Sequence, residues 1–153
     1  MEHKPAEPQP IQAILDSFFI MSSVGKQSAT AARYGRVEAR LRQYLETEGW
    51  RYLAQDDRDL LGLECAFNPH NAFARLFGAE DLLYTLGGFL EPDWLLPGLQ
   101  DRRTQISLIP RLVQWLCNCH LLDPRRDRIA IHSTRAAAAR ARKGPALGGW
   151  NGA

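Results

Sequence analysis

Apolar residues return at steps of three and four along most of this chain. Ile11, Ile14, Leu15, Phe18 and Phe19 share one helical face, and Gly25 offers a stop, which predicts a first helix behind a proline-rich lead-in of residues 1–10. A second and clearer helix is expected over residues 29–48. Ser28 is placed to cap it, Gly49 to stop it, and Tyr34, Val37, Leu41, Tyr44 and Leu45 form its apolar stripe. Shorter helical patterns follow at residues 56–64, at residues 71–77 with Asn71 as cap, and at residues 79–86, punctuated by Asn68-Pro69, Gly78 and Gly87-Gly88. Trp94, Leu95 and Leu96 lie between two proline turns, as core packing or as an exposed contact.

The last long apolar run places Ile106, Ile109, Leu112, Val113 and Leu116 at helical spacing, with Pro110 predicting a kink or a break. Ile129 and Ile131 leave room for a short extended ribbon. After them Ser133 or Thr134 can cap an alanine-rich helix that Gly144-Pro145 ends. Alanine buries little area, so this helix is expected to project from the core or fray. The final residues 145–153 are expected to be mobile. The pattern predicts an all-α protein, a multi-helix bundle over residues 11–122, followed by a basic extension over residues 123–153.

Composition adds few constraints. A chain of 153 residues that is 45% hydrophobic and 24% charged can bury a core without staples. The longest apolar stretch, residues 11–24, is interrupted by polar residues and is short of a bilayer span, so no membrane association is expected. Residues 1–10 carry two glutamates and three prolines, unlike a secretory leader, and the odd set of Cys65, Cys117 and Cys119 suits reduced thiols. Cytoplasmic residence is the expectation.

Charge is more informative once divided. Residues 122–153 hold seven Arg or Lys against two Asp, a local +5, which leaves −3 for the rest of a chain whose net charge is +2. Arg125, Arg126, Arg128, Arg135, Arg140, Arg142 and Lys143 therefore form a basic segment that can displace counterions from a nucleic acid. Arg33, Arg36, Arg40 and Arg42 are expected on the polar side of the second helix, where they serve phosphate contact or pair with Glu38 and Glu46.

Catalytic constellations are not apparent. Cys117, Cys119 and His120 are metal-ligating types, but residues two apart on a helix diverge by about 200°, so no metal or cofactor is expected there. His132 and Arg135 lack any tyrosine after Tyr84 that could act downstream as a nucleophile. Phosphate-binding glycine motifs and serine elbows do not occur. The prediction is a protein that is not an enzyme.

Residues 28–48, SATAARYGRVEARLRQYLETE, resemble the first helix of the SAM-like core-binding domain of tyrosine recombinases and phage integrases through Ser28, Thr30, Tyr34, Leu41, Tyr44 and Leu45. Residues 102–124, RRTQISLIPRLVQWLCNCHLLDP, are similar to a later helix of that domain, where an Arg opens an apolar helix that ends before a proline. The resemblance implies a helical clamp on DNA without strand cleavage, with the arginines of the second helix toward phosphates. A noncatalytic DNA-binding accessory or regulatory protein is thus the leading expectation. The alternative is a protein-interaction module or subunit of a larger complex, which meets a protein partner or a second copy through an apolar surface around Phe18, Phe19, Trp94, Leu95 and Leu96.

Overall fold

In the computed structural model, residues 8–144 are described. Residues 1–7 of the lead-in and the closing residues 145–153 lie outside them. The described chain is all-helical: α1 (Ile11–Ser23), α2 (Ser28–Glu48), a 3-10 turn (Gly49–Tyr52), α3 (Gln55–Phe67), α4 (Ala72–Leu76), α5 (Ala79–Phe89), α6 (Leu99–Asn118) and α7 (Arg128–Lys143). The apolar stripes read from the sequence are the faces that meet. Ile14, Leu15 and Phe18 of α1, Val37, Leu41 and Leu45 of α2, Leu82 and Leu86 of α5, and Leu108, Leu112 and Leu116 of α6 are all nearly or fully buried. Helix α2 touches α1, α4, α5 and α6, while α7 closes the bundle against α5 and α6.

Several local expectations are corrected. Ser28 is the first residue of α2 and makes no side-chain cap, and Asn71 precedes α4 in the left-handed region at φ 54°, also without capping. The α4 donors are met from across the fold. The Glu46 carboxylate accepts from the N–H groups of Phe73 at 3.0 Å and Ala74 at 3.1 Å, so an acid of α2 supplies the favourable negative charge at this N-terminus. Gly87 and Gly88 lie inside α5 rather than ending it, and Gly88 leaves room for the Tyr44 and Tyr52 hydroxyls.

The break offered as one outcome at Pro110 does not occur, and α6 runs through it as one element. Only one backbone donor is lost there, whereas Ile106, Ile109, Leu112 and Val113 on either side of it are at most 4% exposed, and that burial holds both halves to the core. Ile129 and Ile131 form the first turn of α7 rather than a ribbon, because Ile131 turns inward. The alanine-rich segment does not project. Ile131, Thr134, Ala137 and Ala138 are buried against α5 and α6, and small side chains are what let α7 approach: a Cβ built on Gly87 would lie 3.9 Å from the Ala137 methyl.

Of the residues offered for an apolar contact surface, the two phenylalanines lie in the core and the other three pack partly against it. Phe18 and Phe19 are 3% and 4% exposed, and Trp94, Leu95 and Leu96 are partly buried against the core. No helix among the described residues is long and apolar enough to cross a membrane.

Candidate nucleic-acid interface

The arginines of α2 are bound within the fold. Arg36 makes a two-pronged ion pair with Asp101 at the start of α6, at 2.9 and 3.0 Å, and that hydrogen bonding raises its already high pKa. Arg40 stacks over the Trp94 ring at 4.4 Å and donates to the carbonyls of Trp94 and Asp93, pinning the α5–α6 connection to α2. Arg42, on the opposite flank, pairs with Glu38 at 2.7 Å and with Asp16 of α1 at 2.8 Å. Arg33 donates to the hydroxyl of Thr30. The four guanidiniums are therefore spread around α2, and three of them, Arg36, Arg40 and Arg42, fasten it to α6, the α5–α6 connection and α1.

The basic residues near the C-terminus are arranged differently. Arg126 is paired, with Glu80 at 2.9 Å and with buried Asp127 at 3.1 Å, and Asp127 also accepts from the Asp123 N–H to close the turn before α7. Arg125 is exposed beside Asp123, whose carboxylate is held below the usual range by the backbone N–H groups of Arg125 and Arg126. Within α7 the basic residues divide between its two edges. Arg140 and Lys143 face the end of α5 in a cleft that also holds Glu91. Arg128, His132, Arg135 and Arg142 recur at steps of three, four and seven along the edge beside α6.

That second edge forms one side of a groove whose other wall is α6. Near the start of α7 a cleft of about 330 Å³ is lined by Gln114, Cys117, Arg128, His132 and Arg135. Near its end a cleft of about 400 Å³ is lined by Leu99, Arg102, Arg103, Ile106 and Arg142. The two helices are thus antiparallel neighbours. Arg102 is anchored by the carbonyls of Leu96 and Pro97, and Arg135 reaches Gln114 at 3.3 Å. Arg103, Arg128 and Arg142 are exposed, and among the described residues none of the three enters an ion pair. Neither residues 102–122 nor residues 128–143 contain a single Asp or Glu.

Arg103 is the member that sequence reasoning missed. Its signal was the carboxylate-free run across α6, hidden because the helix reads mainly as apolar. Cys117 faces the same groove, where burial pushes its thiol pKa up while Arg135 opposes the shift. Cys119 and His120 are exposed just past α6, and among the described residues no group of three His, Cys, Asp or Glu side chains is placed to share a metal ion. In comparisons with protein families, curated proteins and solved structures, nothing matches this chain.

Proposed function

We propose that this chain is a noncatalytic helical protein that binds duplex DNA through its phosphate backbone, and that the α6–α7 edge is the contacting surface. The observation that carries this reading is the row Arg103, Arg128, Arg135 and Arg142 on a docked helix pair with no carboxylate in either wall of the groove. Cations outside any ion pair keep their charge available for phosphates, whereas on α2 Arg36 is committed to Asp101 and Arg42 to Glu38 and Asp16. Preorganisation adds to this: α7 spans about 24 Å, fixed along its length by buried Ile131, Thr134, Ala137 and Ala138.

In this reading the two segments that resemble the core-binding domain of tyrosine recombinases become α2 and the greater part of α6, which pack together, and the clamp surface lies on the far side of α6 with α7. Contact is to the sugar-phosphate backbone and is largely independent of base sequence. Fluorescence anisotropy with a labelled duplex at several salt concentrations tests the proposal. Log affinity should fall linearly with log salt, and a protein that leaves the duplex unbound at low salt would contradict it.

A further inference from the structure

Helix α3 is built like a core helix and is not used as one. None of its residues is buried, although Leu60, Leu63 and Phe67 recur at steps of three and four on a single stripe. They are 48%, 63% and 88% exposed. The helix is held from its other side, where Leu61 packs toward the core and Glu64 pairs with Arg75 of α4 at 2.8 Å. A stripe of this kind, left outside a fold that buries the stripes of α2, α5 and α6, has the form of one half of a helix-to-helix contact.

Charge identifies the other half. Asp56 precedes Leu60 by one helical turn and Asp59 precedes Leu63 by one, so both flank the stripe, and Asp57 lies between them in sequence. Among the described residues no cation pairs with any of the three. The one basic residue of α3, Arg58, is spent on the carbonyls of Leu53 and Arg51 and on the Trp50 ring. The surface is apolar along its length and acidic over its first half.

We infer that α3 is a docking site for an amphipathic helix of another protein, lying antiparallel to α3 and carrying Lys or Arg in its C-terminal turns. Antiparallel docking sets those cations over Asp56 and Asp59, and it opposes the two macrodipoles favourably. A second copy of this chain does not supply such a helix. Its basic helix, α7, exposes only Ile129 and Ala139 among its apolar side chains, and a second α3 would bring acid toward a helix that is already acidic. Because α3 packs on α4 while α7 packs on α5 and α6, the partner and the basic groove occupy different parts of the bundle.

The test uses the full chain and two synthetic helical peptides of about 20 residues, long enough to hold a helix. Both carry leucines at steps of three and four; one ends in lysines, the other in glutamates at the same positions. Amide exchange should show the lysine peptide protecting α3, with the glutamate peptide weaker by on the order of tenfold. Phe67→Asp, at a side chain with almost no contacts to lose, should abolish the protection. Asp56→Lys combined with Asp59→Lys should reverse the preference between the peptides. The inference is overturned if the lysine peptide leaves α3 unprotected, if the two peptides bind alike, if the charge swap leaves the preference unchanged, or if sedimentation shows α3 covered in a homodimer. Salt-dependent DNA binding by the Phe67→Asp chain should equal that of the original chain, which keeps this outcome distinct from the fate of the DNA reading.

Discussion

Among the glycines of the described residues, Gly88 has the least room for a side chain. A Cβ there would run into the hydroxyl oxygens of both Tyr44 and Tyr52, so the bare backbone of α5 is what lets α2 and the 3-10 turn close over it. Tyr44 uses the space to donate to the Thr85 carbonyl at 2.6 Å, and burial together with the Tyr52 hydroxyl pushes its phenol far above the usual range. Gly88→Ala should therefore destabilise the fold by about 1–3 kcal/mol in urea denaturation through overpacking, even though alanine is the better helix former by about 1 kcal/mol. Asp123 gives a residue-scale dependence on pH. Its folded pKa is lowered, so the stability it contributes is complete above the ordinary carboxylate value and lost as pH falls through the lowered one. Denaturation midpoints of the original chain and Asp123→Ala should differ at neutral pH and draw together only as pH falls below about 4 and through the lowered pKa. Gly88 and the Glu46 cap on α4 were not legible from sequence. Gly88 reads as punctuation next to Gly87, and the Glu46 cap on α4 joins residues 27 and 28 positions apart, beyond the reach of any local capping pattern.

Helices as such were easier to read than their ends. The spacing of Ile11 to Phe19, of Tyr34 to Leu45 and of Ile106 to Leu116 identified α1, α2 and α6, because a buried stripe needs periodicity and leaves it in the sequence. Caps failed at Ser28 and Asn71, since what satisfies a helix end depends on what folding brings beside it. The extent and packing of α7 were missed for an instructive reason. Low buried area per alanine argues for a loose helix, yet Ala137 and Ala138 are buried because their size allows α7 to lie close on α5 at Gly87. Ala137→Leu should destabilise the bundle by about 1–3 kcal/mol, visible as a lower urea midpoint with an unchanged helical signal at low denaturant. Were α7 a frayed appendage, the larger side chain would change nothing.

Across the whole molecule, charge is sorted by the fold more sharply than by the sequence. Eleven basic residues looked equivalent as candidates along the chain; folding ties Arg36, Arg40, Arg42 and Arg126 into ion pairs or loop anchors and leaves Arg128, Arg135 and Arg142 in a line. The sequence could show that α6 beyond Asp101 and all of α7 lack carboxylates. It could not show that the two helices adjoin, because Arg103 and Arg142 are 39 positions apart and meet only through antiparallel packing at one cleft. The same sorting puts acid and exposed leucine on α3, away from that groove.

The α6–α7 edge is the proposed DNA surface. The direct measurement is the slope of log affinity against log salt for a labelled duplex, compared among three chains: the original, one with Arg103, Arg128 and Arg142 changed to Ala, and one with Arg33, Arg36 and Arg40 changed to Ala. The first triple should flatten the slope by about 0.9 for each phosphate contact removed, and the second should leave it unchanged. A slope that survives the loss of Arg103, Arg128 and Arg142, or that falls only when the α2 arginines go, would contradict the account.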